Sequence, residues 1–256
     1  MSFNVPADAY LRFMGRYSQP LAEQFVDLVD VRLGDRVLDV GCGPGILTAP
    51  LVSRCGDAAV AAVDPSPPFV AAARDMFPGI DVREADAEHL PYGDDTFDAA
   101  LAQLVVHFMA DPVVGLSEMG RVTRAGGTVS ASVWDNAGTT GPLSVFWQAV
   151  HEVDSAAPGE AQLAGSREGH LAELAEEAGL ASIRSTSLTV RIPFASFDEW
   201  WAPYLLGVGP SWAYVASLDD ATRTELAERC RALLPEPPFE HAATAWVVLA
   251  ESGPAT

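Results

Sequence analysis

Lysine is absent from the 256 residues, and all 15 basic residues are arginine. Schiff-base chemistry and a lysine general base are therefore excluded, as is the Tyr-x-x-x-Lys pair of an NAD-dependent reductase. Positive charge is scarce in general. The 35 acidic residues leave a formal net charge of −20, so the basic footprint that nucleic-acid binding requires is missing. The acidic surplus reads first as solubility, and second as attraction for a cationic substrate. Cysteine is scarce too. Cys42, Cys55 and Cys230 fit no metal-ligand spacing and no obvious disulfide set, so no metal is expected and a reducing cytoplasm is the expected home. No apolar run reaches the roughly 18–20 residues of a membrane span. Met1–Tyr10 contains Asp8 and no apolar stretch, so neither a membrane partner nor a signal peptide is expected.

What is present is a hydrophobic content of 49%, arranged as short apolar strands alternating with amphipathic helices. Strands are expected at 36–40, 59–63, 80–83, 96–102 and 128–134, with helices over 20–31, 46–54, 65–76 and 112–122 between or before them. This alternation predicts βαβ crossovers and a mostly parallel sheet. After Trp134 the pattern changes. Helices over 142–153 and 167–178 precede a sixth strand at 183–192, and a seventh follows at 243–250. The expected architecture is α/β and Rossmann-like: a seven-stranded, mostly parallel sheet with helices on both faces and helical insertions after strands five and six. We treat residues 1–256 as one domain, with 1–134 as its ligand-binding core. Residues 135–166 and 196–238 are expected to be insertions forming a lid.

The segment Asp39-Val40-Gly41-Cys42-Gly43-Pro44-Gly45 joins the first strand to the next helix. Glycines there relax the turn and let a ligand approach the backbone. A dinucleotide fingerprint needs G-x-G-x-x-G, but the sixth position from Gly41 is Ile46. Pro44 removes an N–H from the loop, which weakens a phosphate cradle. Asp39 disfavours a pyrophosphate and suits a ligand with an ammonium group. Asp64 ends the second strand, where a ribose diol can be held. At these residues the chain resembles the class I S-adenosylmethionine-dependent methyltransferases, most closely the small-molecule type similar to the ubiquinone and menaquinone C-methyltransferases. Phe97-Asp98 through Gln103 and Arg121–Gly127 resemble that family's later motifs. The resemblance implies that S-adenosylmethionine is held by Asp39, Gly41, Gly43, Asp64, Pro65, Asp86, Ala87 and Gln103. Asp86 would meet the adenine amino group, and Ala87 would offer a neighbouring N–H. Arg16 and Tyr17 would reach the methionine carboxylate. Asp39 is expected to hold loop N–H groups, and Asp98 to be structural.

Methyl transfer from a sulfonium is an in-line displacement, and positioning supplies much of the rate. His107, just after the fourth strand, is the best-placed general base, since its pKa suits proton transfer; a structural His is the alternative. Trp200, Tyr204 and Trp147 are expected to line an apolar acceptor pocket, or else to form a small core. Two functions follow: methyl transfer to an O, N or C atom of a small apolar or aromatic molecule, or non-catalytic binding of S-adenosylmethionine or S-adenosylhomocysteine.

Overall fold

The computed structural model describes residues 11–253 apart from Val208. Met1–Tyr10, where no signal peptide is expected, lies outside the described residues. Seven strands form one sheet in the order β3-β2-β1-β4-β5-β7-β6. They are β1 (Val37–Val40), β2 (Val60–Asp64), β3 (Asp81–Glu84), β4 (Phe97–Gln103), β5 (Thr123–Trp134), β6 (Ala181–Phe194) and β7 (Phe239–Glu251). β1 pairs in parallel with both β2 and β4, and β7 alone runs antiparallel to its neighbours β5 and β6. Strand order therefore reverses between β1 and β4, the place where open α/β sheets bind ligands at their carboxyl ends.

β1 and β2 are buried along their whole length, as parallel strands covered on both faces must be. On one face, α4 (Pro112–Val122) and α6 (His170–Glu177) bury Leu116, Met119, Leu171 and Leu174 against Leu38, Val40 and Val129. On the other, α1 (Arg16–Val29) and α2 (Thr48–Cys55) bury Phe25 and Leu51 against Val37 and Val60. α3 (Pro67–Met76) sets Val70 and Ala73 over Ala62 and Val82. Beyond β5 an aromatic cluster takes over. It holds α5 (Ser144–Val153), α7 (Phe197–Trp201), α8 (Gly209–Ser217) and α9 (Asp220–Leu233) against β6 and β7.

Several boundaries differ from expectation, and β5 begins at Thr123, five residues before the expected 128. α1 starts at Arg16, with Pro20 inside it, because a π-helical turn at Leu11–Gly15 feeds the helix from upstream. β6 and β7 are longer than their apolar cores, since their antiparallel ladder continues to Phe194 opposite Phe239. Pro193 is tolerated there because β6 is the edge strand.

Candidate functional site

β1 hands directly into the glycine turn. Gly41 and Gly43 have φ of 73° and 55°, a region that side chains rarely adopt. A Cβ on Gly41 would lie 2.5 Å from Val105 Cγ2, so the turn needs glycine to approach the loop after β4. The N–H groups of Gly41 and Cys42 donate to Val63 O at 2.8 and 2.9 Å, locking the turn to the end of β2. At that end stands Asp64. Gly43 N donates to its Oδ2 and Ser66 N to its Oδ1, each at 2.8 Å. Burial raises the Asp64 pKa, while those two N–H groups oppose the rise.

Asp39 is only 1% exposed. It accepts the Thr48 hydroxyl at 2.6 Å, not the loop N–H groups that the sequence suggested. Thr48 belongs to α2, so Asp39 ties that helix to the sheet. Burial, reinforced by the charge of Asp64, pushes the Asp39 carboxyl up to about 7.

Two loops complete the rim. After β3, Asp86 Oδ1 meets His89 Nδ1 at 2.8 Å. Glu88 Oε1 accepts the N–H groups of Ala110 and Asp111 at 2.7 and 3.1 Å, which fastens this loop to the one after β4. In the second loop Leu104 takes a left-handed φ of 62°, a strained conformation for a γ-branched residue that packing must maintain. Gln103 Nε2 donates to Ser18 O at 3.1 Å, joining β4 to α1. Its Oε1 is buried without a partner.

These elements enclose a cavity of about 830 Å³, lined by Asp39, Gly41, Gly43, Asp64, Pro65, Asp86, Ala87 and Gln103. That volume lies in the upper part of the usual range for small-molecule sites, roughly 300–1,000 Å³. Six sequence-predicted residues lie off this lining. Arg16 is bound to Glu199 at 2.8 Å and to Pro193 O at 3.1 Å, with its guanidinium 4.4 Å over the Phe194 ring. The Tyr17 hydroxyl meets His241 Nδ1 at 3.1 Å, and burial raises its pKa. Successive helix residues point about 100° apart; α1 turns Arg16 and Tyr17 toward β6 and β7, and Ser18 alone reaches the cavity.

Trp147, Trp200 and Tyr204 are core residues. Tyr204 stacks on Phe146 at 4.7 Å and touches Trp200 at 4.9 Å. Trp147 Nε1 donates to Glu160 at 3.0 Å. These rings pack on one another, Trp200 Nε1 being buried without a partner, and none of the three lines the cavity. His107 sits in a short 3-10 turn, Val106–Phe108, beside the Phe108 ring at 3.8 Å. Its Nδ1 is buried without a partner, and burial pushes its pKa down to about 3. A ring that far from neutrality is a weak base, and His107 is not among the residues that line the cavity. Asp98 is structural, as expected, holding Arg36 N at 2.8 Å and Arg124 Nε at 2.5 Å.

Sequence reasoning missed Ser18, Glu88, Val105, Phe108 and Met109, all of which line the cavity. Glu88 carried one usable signal, a carboxylate two residues beyond the expected adenine acid. The others are ordinary residue types whose place depends on loop geometry.

Residues 38–131 match the family model described as a methyltransferase domain. An uncharacterized protein of Mycobacterium bovis is 37% identical over 128 residues, covering 48% of this chain and 46% of that protein. The malonyl-acyl-carrier-protein O-methyltransferase of Pseudescherichia vulneris is 36% identical over 134 residues, covering 51% and 52%. The chain thus spans about half the length of the curated relatives it matches. Among solved structures, the YcgJ protein of Bacillus subtilis superimposes with a TM-score of 0.59 at 17% identity, covering 93% of this chain and 99% of that one. That likeness shows the Rossmann-like fold. The resemblance read from the glycine turn and the acids that follow it holds over the matched region.

Proposed function

We propose methyl transfer from S-adenosylmethionine to an O, N or C atom of a small, apolar or aromatic molecule; the match of residues 38–131 to a methyltransferase-domain model supports this. The carrying observation is Asp64. Each of its oxygens already accepts one backbone N–H, which fixes the carboxylate plane and leaves a second lone pair on each oxygen for a ribose diol. Asp86 and Ala87 hold the adenine edge. Gln103, its amide nitrogen committed to Ser18 O, offers Oε1 as an acceptor for the methionine ammonium. The close approach of Gly41 to Val105 keeps the turn narrow beneath the ligand. When bound, the cofactor supplies an electrophilic methyl group on a sulfonium. This chain's residues hold it in line with the acceptor, and such positioning is worth effective molarities of about 10⁵–10⁸ M.

Residues 1–134 serve as the cofactor half, and 135–166 with 196–238 as the covering of the acceptor side. Trp147, Trp200 and Tyr204 give that covering its core. Neither nucleic acid nor membrane is a partner in this reading; among the described residues no helix is long and apolar enough to cross a membrane. Residence in the cytoplasm is supported by three free, buried cysteines.

One observation favours the second reading, a non-catalytic binder of S-adenosylmethionine or S-adenosylhomocysteine: His107, the expected base, does not line the cavity. Calorimetry tests the cofactor first. Micromolar binding of S-adenosylmethionine, around −8 kcal/mol, is expected, and tight NAD binding in its place defeats both readings. Methylated product from a panel of phenols, quinones and amines then separates enzyme from binder.

A further inference from the structure

The sheet carries a second cavity at its other end. It holds about 460 Å³ and shares no residue with the lining of the first. Arg36 precedes β1, Asp57 and Ala59 lead into β2, Asp81 and Arg83 belong to β3, and Phe97 opens β4. The cavity therefore lies at the amino ends of these strands, whereas the first lies at their carboxyl ends. Its volume falls within the range of small-molecule sites, roughly 300–1,000 Å³.

One side of the cavity is a fixed frame. Both oxygens of Asp81 are held by the Arg83 guanidinium, at 3.0 and 2.7 Å. Arg83 also donates to Pro91 O at 2.7 Å and lies 4.4 Å over the Tyr92 ring. Tyr92 in turn stands edge-on to Phe97 at 4.9 Å. Arg83 and Asp81 are thus spent on the frame, and they fix Tyr92 in the wall.

Three other groups on the lining are not spent. The Arg36 guanidinium lies 5.6 Å from the Phe97 ring centroid, and among the described residues it forms no ion pair. Asp98 beside it is held by Arg124 and by the Arg36 backbone N–H. The Asp57 carboxylate lies over Gly79, where a Cβ would come within 2.6 Å of its Oδ2, and among the described residues it forms no ion pair either. The Tyr92 hydroxyl is buried without a hydrogen-bond partner. Burial, reinforced by the nearby Asp81, raises its pKa, so it stays a neutral donor. Arg36 and Asp57 carry opposite charges, line one cavity and do not close on each other.

We infer that this second cavity binds a small zwitterion, an α-amino acid with an apolar side chain, its carboxylate on Arg36 and the Tyr92 hydroxyl and its ammonium on Asp57. The inference is independent of the methyltransferase reading. A guanidinium fork matches a carboxylate edge to edge, and such charge-assisted bonds are among the stronger ones. A buried donor with no acceptor calls for one, and the second carboxylate oxygen supplies it to Tyr92. A simple anion would satisfy Arg36 but face Asp57, and a phosphate would do so with more charge. A simple amine would satisfy Asp57 and leave Arg36 and Tyr92 without an acceptor. The side chain would lie against Ala58, Ala59 and Pro91.

Calorimetry on the full chain tests this with L-valine, L-leucine and L-phenylalanine, each titrated alone and with excess S-adenosylhomocysteine present. At least one should bind saturably at millimolar concentration or below, with the same affinity in both titrations. For L-leucine, the matched probes are isoamylamine, which lacks the carboxylate, and 4-methylpentanoate, which lacks the ammonium. Each should bind at least about tenfold more weakly than the amino acid. Arg36 and Asp57 are exposed, so Arg36→Gln and Asp57→Asn should leave the melting temperature of the ligand-free chain unchanged while weakening the amino acid at least about tenfold. Tyr92→Phe keeps the ring and removes a hydroxyl that has no partner, so it should weaken binding without lowering the ligand-free melting temperature. No saturable binding by any of the three amino acids overturns the inference. So do equal binding by the amine or the acid, full affinity in both charge variants, and binding that S-adenosylhomocysteine abolishes, which would put the amino acid in the first cavity.

Discussion

The two halves of the sheet are covered by unlike cores. Around β1 to β4 the packing is aliphatic, with Leu38, Val40, Leu51, Leu101 and Leu116 fully buried. Beyond β5 it is aromatic, with Phe13, Tyr17, Trp134, Phe146, Trp200 and Tyr204 in one cluster. The aliphatic half fills space around a backbone whose special features are a glycine turn and a few carboxylates at strand ends. The aromatic half is built differently. It is held by ring against ring, as in the Phe146–Tyr204 stack, and by long-range pairs such as Tyr17 with His241. One half is specified by backbone position and the other by bulk, so they should fail in different ways.

The largest difference should come from Trp200→Ala. Trp200 is 2% exposed and packs on Phe197 and Tyr204. Large aromatic-to-alanine changes in cores cost about 3–5 kcal/mol. Urea unfolding should show a loss of that size, while the folded fraction still binds S-adenosylmethionine. Weakened acceptor affinity with unchanged stability would instead make the aromatic cluster a contact surface. Asp64→Ala should do the reverse. Hydrogen bonds to charged groups are worth about 1.5–3 kcal/mol, so cofactor affinity should fall tenfold or more with little change in melting temperature. Unchanged affinity would remove Asp64 from the ribose site.

This contrast also explains what could be read from the sequence. The turn Gly41–Gly45, Asp64, Asp86 and Ala87 were legible because strand ends and glycines fix their places locally, and the count of seven mostly parallel strands was legible from the alternation of strand and helix; the insertion of β7 between β5 and β6 was not. Arg16, Tyr17 and His107 were not, because a helix phase or a single 3-10 turn decides where each side chain points. A shift of one residue rotates a helix position by about 100°, enough to exchange Tyr17 for Ser18 at the cavity. Trp147, Trp200 and Tyr204 were ambiguous for another reason. An aromatic cluster has the same composition whether it lines a pocket or fills a core, and only the tertiary contacts distinguish the two.

The halves should also respond to pH in opposite senses. In the aromatic half, burial pushes His241 down to about 4. The unfolded chain takes up that proton near about 6.5, so its stabilising contribution is complete above that pH and is lost as pH falls from there toward about 4. The slope is about 1.4 kcal/mol per pH unit across this window. His241→Phe should flatten the acid limb of a stability-against-pH curve even though it lowers the curve as a whole. An acid limb of unchanged slope would remove His241 as a cause.

The effect of opposite sign belongs to Asp39 in the aliphatic half. Its folded pKa is raised to about 7, above the ordinary carboxyl value near 3.9. Its contribution is therefore complete below the unfolded value and is lost as pH rises through about 7. Asn at this position imitates the protonated acid and keeps an oxygen for the Thr48 hydroxyl. Asp39→Asn should thus be close to neutral below about 3.9, should gain on the wild type by up to about 1.4 kcal/mol per pH unit as pH rises from there to about 7, and should gain no more above it. Urea unfolding of both proteins at about pH 4 and at about pH 7 measures it. A bound sulfonium should favour the Asp39 carboxylate and lower its pKa, whereas neutral S-adenosylhomocysteine should not. The preference of the wild type for S-adenosylmethionine should therefore rise with pH through this window, and Asp39→Asn should abolish that rise. A pH-independent preference in the wild type would place the sulfonium beyond the reach of Asp39 and confine that residue to bracing α2 through Thr48.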